Sequence, residues 1–188
     1  DMLLLQETER ALADNSSPKV IFLHMMGSHP NPCDRLHSWP NNYQEQFPRK
    51  IACYLASISK LDNFLGQLDG ILRRHSRHFA MLYFSDHGLS VSDSANPVHH
   101  DGHVQGGYSV PLIITASDIT SHQSLSRKIS ARHFTGIVQW LTGIRTENIP
   151  PFNPLTDEDN ERIMVFNGER YVQEDSLKPQ PLILPDHK

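Results

Sequence analysis

The stretch Phe79–Gly88, FAMLYFSDHG, narrows what this chain can become more than any other part of it. Six consecutive apolar residues, mostly aromatic or aliphatic, have the length and makeup of a strand buried on both faces. The run ends in Ser85, Asp86, His87 and Gly88. A carboxylate and an imidazole therefore stand side by side where a central strand opens into a loop. In open α/β sheets that edge is where ligands bind. Neighbouring residues of a regular strand point to opposite faces, so Asp86 and His87 can converge only beyond its end, with Gly88 as a permissive turn. Asp oxygen with His nitrogen is a common zinc donor pair. Taken alone, the motif equally fits a plain polar junction between strand and loop.

The surrounding chain supplies helices and further strands. Leu3–Ala13 reads as a helix, and the turn Asp14–Pro18 leads to Lys19–Met25 (KVIFLHM), a predicted buried strand. A loop follows over Gly27–Asn42. A long helix is then predicted from about Pro48 to His75. Its residues Ile51, Tyr54, Leu55, Ile58, Leu61, Leu65, Leu68 and Leu72 recur at steps of three and four. Ser90–Gly107 reads as a polar loop and Tyr108–Ala116 as a strand whose Pro111 implies an edge or irregular start. Ile129–Leu141 has helical spacing, with Ile129, His133, Ile137, Trp140 and Leu141 on one face, and Arg145–Asn160 is Pro-rich and acidic, an exposed excursion. Asn167-Gly168 between Arg162–Phe166 and Glu169–Gln173 signals a hairpin with a type I′ turn. The order implies a three-layer α/β sandwich with a mainly parallel central sheet and a C-terminal β-hairpin. Residues 1–175 form one domain and 176–188 a surface tail.

Three segments carry histidines toward the same predicted sheet edge. His24 and His29 flank Gly27 and Ser28 after the first strand, where His24 reads as a core or supporting histidine. Asp86 and His87 follow the second strand. The loop VHHDGH then holds His99, His100, Asp101 and His103. A divalent ion flanked by imidazoles suits phosphoryl or sulfuryl groups, and histidines can bind their oxygens or protonate a leaving group. The chain has no Walker loop, no G-x-S-x-G elbow and no H-E-x-x-H.

Composition removes other classes. With 188 residues and a net charge of −4, the chain has room for a core and no basic stripe for nucleic acid. No apolar run reaches the roughly 20 residues of a membrane span, and no signal peptide is visible. The chain opens on Asp1 within a predicted helix, without an initiator Met, which reads as a piece of a longer protein. Cys33 and Cys53 match no zinc spacing but can bridge the loop to the following helix.

The succession KVIFLHMMGSHP, a helix with CYLASISKLDNFL, FAMLYFSDHG, and a His-bearing loop running into YSVPLII resembles the phosphoethanolamine transferases of the sulfatase and alkaline phosphatase superfamily. The resemblance covers about Asp1–Ala116. It implies a zinc-dependent periplasmic domain of an inner-membrane protein of a Gram-negative bacterium, anchored through an N-terminal region. It also implies transfer of phosphoethanolamine from phosphatidylethanolamine to lipid A or another glycan by a threonine nucleophile. Asp86 and His87 match two of that family's zinc ligands. His29 matches a histidine that contacts the phosphoethanolamine group, and His99 a second one, with His100 and His103 as rivals and His103 the stronger. The nucleophile and the acidic zinc ligand match nothing here and are expected upstream, so the 188 residues alone are expected to be inactive and to bind zinc weakly. Two departures stand out: Leu55 and Ala56 follow Tyr54 where the family carries Asp-Asn before Ser57, and Leu89 follows the DHG in place of Glu. A sulfatase, a phosphodiesterase, a glycerol-phosphate transferase, a binding module without chemistry, and a histidine-rich domain without metal are the alternatives.

Overall fold

The computed structural model describes residues 1–14, 18–29, 31–92 and 94–181. Within the predicted segments, Asn15, Ser16, Ser17, Pro30, Asp93 and 182–188 of the tail lie outside the described residues. The chain divides into two compact units, one of 1–79, 89–100 and 180–188, the other of 80–88 and 101–179.

The first unit is built on two helices, α1 (Leu3–Ala13) and α2 (Arg49–His75). α1 buries Leu5 and Thr8. Its Glu9 accepts from His75 Nε2 at 2.9 Å, tying α1 to the end of α2. The hydrogen bond from His75 holds the Glu9 carboxyl below its ordinary range, against a smaller opposing effect of burial. Pro48 caps α2 in extended geometry, and Arg73, Arg74 and His75 crowd its last turn, where cations oppose the helix dipole. The buried face of α2 carries Ile51, Ala52, Cys53, Ala56, Ser57, Phe64, Leu65, Leu68 and Ile71. This stripe is rotated from the predicted one: Ile58 is 42% exposed, while Ala52 and Ala56 are fully covered. Small residues bring the neighbouring chain close, which a search for large apolar side chains overlooks. Strands β2 (Ser90–Val91) and β3 (Val98–His99) pair antiparallel, Ser90 opposite His99. They cover α2 through a cluster of Ile51, Leu89 and Val98 with Tyr54 and Leu55 against it. Ser90–Gly107 thus contains a short ladder and is not all loop.

Lys19–Met25 is the main correction in this unit. It forms no strand, and Val20 and Phe22 are 67% and 86% exposed. Strand status needs a partner to satisfy the backbone and cover the side chains. None of the described strands lies beside this segment.

In the second unit, β1 (Ala80–Tyr83) and β4 (Ile113–Ala116) pair antiparallel, Ala80 opposite Ala116. β4 occupies only the end of the predicted Tyr108–Ala116. Helix α3 (Phe134–Thr142) follows a 3₁₀ turn at Ala131–His133 and stops at Gly143, whose φ is +73°. Phe152 is buried and stacks on His133 at 4.0 Å. Gln139 Nε2 donates to Ile149 O at 2.8 Å. The Pro-rich excursion is therefore anchored, not merely exposed. Asp159 pins it further, accepting from Ser130 N and Arg132 Nη2, both at 2.8 Å.

Strands β5 (Met164–Phe166) and β6 (Tyr171–Gln173) form the predicted hairpin. Its turn differs: residues 167–170 make the loop, Asn167 Oδ1 accepts from Glu169 N and Arg170 N, and only Gly168 has positive φ, +99°. An Asx-type side-chain cap replaces the type I′ turn. All three ladders among the described residues are antiparallel. The mainly parallel sheet expected from the strand–helix alternation is not among them, because the leading strand of that sheet, Lys19–Met25, is unpaired.

Candidate functional site

Asp86 and His87 lie three and four residues past the end of β1, as the geometry of a strand requires for neighbours that converge. Their backbone is tightly specified. His87 N donates to Asp86 Oδ1 at 3.0 Å and Ser85 Oγ to His87 O at 2.8 Å. His87 Nδ1 lies 3.0 Å from Gly88 O, a contact in which Nδ1 donates; in the neutral ring this leaves the lone pair on Nε2. Nε2 stands 3.9 Å from Asp86 Oδ1, with side-chain exposures of 38% for His87 and 87% for Asp86. Gly88 donates its N–H to Gly107 O at 2.9 Å. Its φ is not positive. A Cβ there would run into the carbonyl oxygen of Gly106, so crowding, and not turn conformation, calls for glycine.

His103 stands on a braced loop of the same unit. Asp101 Oδ1 accepts from His103 N at 2.8 Å, and His103 O accepts from Lys178 N at 3.2 Å. Tyr108 Oη donates to Phe166 O at 2.8 Å and contacts Gly102 O at 3.1 Å. Burial first, and then the Asp101 carboxylate, push the Tyr108 hydroxyl up. Gly102 is required by proximity: a Cβ there would meet Asn167 O at 2.5 Å. Tyr108 and Gly102 are supports that the histidine-centred reading missed; the Gly-rich run before Tyr108 was the available signal.

In the first unit, His29 is exposed and follows a turn through Gly27, whose φ of +54° confirms its predicted role. His29 N donates to Met26 O at 3.1 Å, and Arg35 Nε donates to His29 O at 3.1 Å. His24 is also exposed, which corrects its reading as a core or supporting residue and follows from the unpaired Lys19–Met25. His99 is half-buried on β3, and His100 beside it is exposed.

Among the described residues, no three His, Cys, Asp or Glu side chains are grouped to hold one metal ion. Of the donors singled out in the sequence, Asp86 and His87 stand together, 3.9 Å apart; His75 with Glu9 and His133 with Asp159 make closer carboxylate–imidazole pairs elsewhere. The chemistry of Asp86 and His87 fits zinc: a carboxylate beside an imidazole whose Nδ1 is engaged by a backbone carbonyl, the arrangement that turns Nε2 of a neutral ring toward a metal. An ordinary zinc site has four ligands, of which this pair would supply two. The departures from the resembled pattern have a packing consequence. Leu89 is buried and Leu55 packs against its cluster, while Ala56 is buried with Leu36 and Cys53. Positions expected to be polar are core here.

Cys33 and Cys53 form a disulfide, with Cα atoms 4.9 Å apart. It ties the loop to α2, the bridge that the sequence allowed. Among the described residues no helix is long and apolar enough to cross a membrane.

The Sulfatase family model matches residues 1–144. Phosphoethanolamine transferase OpgE of Escherichia coli K12 is 33% identical over 162 residues, covering 84% of this chain and 30% of that protein. A Haemophilus influenzae protein named "Putative phosphoethanolamine transferase" is 39% identical over 98 residues, 47% of this chain and 20% of its own length. The chain thus spans less than a third of the relatives it matches. No solved structure matches.

Proposed function

Since this chain belongs to the Sulfatase family and its phosphoethanolamine transferase branch, we propose that it forms part of a zinc-dependent phosphoethanolamine transferase. Asp86 and His87 supply two zinc ligands. His29 and either His99 or His103 bind the phosphoryl oxygens, with His100 the weaker candidate. The observation that carries this reading is the DHG junction itself, where the Gly88 carbonyl engages His87 Nδ1 and Nε2 stands 3.9 Å from Asp86 Oδ1.

The reaction we propose has two steps. A threonine hydroxyl takes phosphoethanolamine from phosphatidylethanolamine, releasing diacylglycerol, and an acceptor hydroxyl of lipid A or another glycan then removes it. Zinc, when bound, offsets phosphoryl charge and acidifies a hydroxyl. Within this chain, His29 presents an exposed imidazole from a backbone held by Arg35, and we assign it to hold a phosphoryl oxygen or deliver a proton to the leaving alkoxide. Asp101 and Tyr108 keep the His103 loop in place. We assign the threonine and the remaining zinc ligands to the part of the family's domain that these residues do not span.

The Cys33–Cys53 disulfide supports an oxidising compartment, consistent with a periplasmic domain of an inner-membrane protein in a Gram-negative bacterium. The buried Leu89 and the partly buried Leu55 against it favour a second reading, a superfamily member with a different donor, such as a sulfatase, phosphodiesterase or glycerol-phosphate transferase, or a module that binds without chemistry. Donor assays on the protein carrying these residues separate them. Release of diacylglycerol from phosphatidylethanolamine, but not from phosphatidylglycerol, and no cleavage of an aryl sulfate, is the expected result. Preference for phosphatidylglycerol or the sulfate would overturn the proposal.

A further inference from the structure

Cys53, Ser57 and Lys60 occupy positions i, i+4 and i+7 of α2 and so share one face of the helix. Each fastens the loop that carries His29 by a different chemistry. Cys53 is bonded to Cys33. Ser57 Oγ lies 2.7 Å from Ser28 Oγ and donates to Tyr54 O at 2.7 Å, so its proton is committed and Ser28 is the donor between the hydroxyls. Lys60 Nζ donates to Arg35 O at 2.6 Å, and Arg35 Nε in turn donates to His29 O at 3.1 Å. Behind these contacts Leu36, Cys53 and Ala56 form a buried cluster with Trp39 and Tyr43 against it, and Asn41 Nδ2 approaches Cys53 Sγ at 3.7 Å. The cavity left between loop and helix, lined by Gly27, Arg35, Ser57 and Lys60 among others, is about 20 Å³, room for a single water.

We infer that this face of α2 is a positioning device for His29, and that its covalent member, Cys33–Cys53, makes the presentation of His29 redox-sensitive. The inference rests on the proposed role of His29 only for its consequence in phosphoryl binding. Among the described residues of 27–47 no long element forms; one short 3₁₀ turn, Pro32–Arg35, interrupts the loop. The hydroxyl and ammonium contacts are single hydrogen bonds of small net worth. The disulfide spans 20 residues and anchors Cys33, four residues after His29, covalently to α2. Reduction by a dithiol breaks the S–S bond. Two electrons and two protons pass to the sulfurs as thiols, and the dithiol closes to its own disulfide. The loop then opens locally while the body of α2, held by Phe64, Leu65 and Leu68, stays folded.

Hydrogen–deuterium exchange on the 188-residue chain, oxidised and after dithiol treatment, tests this. Amides of residues 26–47 are expected to exchange at least about tenfold faster after reduction, with those of 61–75 and of β1 and β4 unchanged. Equal exchange in the two states would overturn the inference. A second arm follows the His29 ring resonance by NMR as O-phosphoethanolamine is added. The oxidised chain should respond at about tenfold lower concentration than the reduced chain or the Cys33→Ser/Cys53→Ser variant. Ser57→Ala should weaken the response and Ser57→Thr restore it, which a merely structural role would not give. If the loop loosens but the ring responds in neither state, the latch stands and the assigned role of His29 fails. If the ring responds equally in both states, the positioning device is refuted.

Discussion

Two glycines of this chain serve opposite ends, and substitution by alanine separates them. At Gly88 the added methyl would collide with the Gly106 carbonyl, and overpacking of this kind costs about 1–3 kcal/mol. Gly88→Ala is expected to lower stability by that amount in urea denaturation. At Gly66, within α2, no atom lies within 4 Å of the new carbon, and Gly66→Ala is expected to raise stability by about 0.5–1 kcal/mol through helix propensity. Asp159 gives the pH test. Burial acts to raise its pKa, but the Ser130 N–H, His133 and Arg132 together outweigh it, and the carboxyl is held below the ordinary range. A carboxyl depressed in the fold stabilises above its unfolded pKa, and that contribution fades as pH falls through the folded value. Asp159→Asn should therefore cost about 1.5–3 kcal/mol near neutrality. The difference from the parent should shrink as the solution is acidified, measured by denaturation at a series of pH values. Of these residues the sequence revealed the DHG and the GSH turn. It hid Asp159 and Gly102, whose meaning depends on what the fold brings against them.

At the scale of elements, what was legible followed from local pattern. α1 and α2 were readable because leucines and isoleucines repeat over many turns, and long periodic segments override neighbours. The hairpin was readable from Asn167-Gly168, although its turn is built by the Asn167 side chain. β2 and β3 are two residues each and leave no period to detect. Lys19–Met25 has the composition of a strand, but composition does not supply a partner, and Val20, Ile21 and Phe22 stay exposed. Such a segment is prone to intermolecular pairing. We expect the 188-residue chain to self-associate with rising concentration in sedimentation velocity. Phe22→Asp, at a residue 86% exposed, should suppress association while changing stability by less than about 0.5 kcal/mol.

For the whole molecule, the histidine and carboxylate segments that the sequence directed to one sheet edge are divided between two compact units. Unit membership was not legible, since the chain passes between units four times, at Ala80, Leu89, Asp101 and Gln180, with no linker to mark the crossings. We propose the Asp86–His87 pair, which lies within one unit, as the seat of a zinc ion. Diffraction from crystals of the 188-residue chain grown with zinc, read at the zinc absorption edge, tests that most directly. The predicted result is an anomalous peak about 2.0–2.2 Å from an Asp86 carboxylate oxygen and from His87 Nε2. A peak held by His99, His100 or His103, with none at Asp86 and His87, would contradict it.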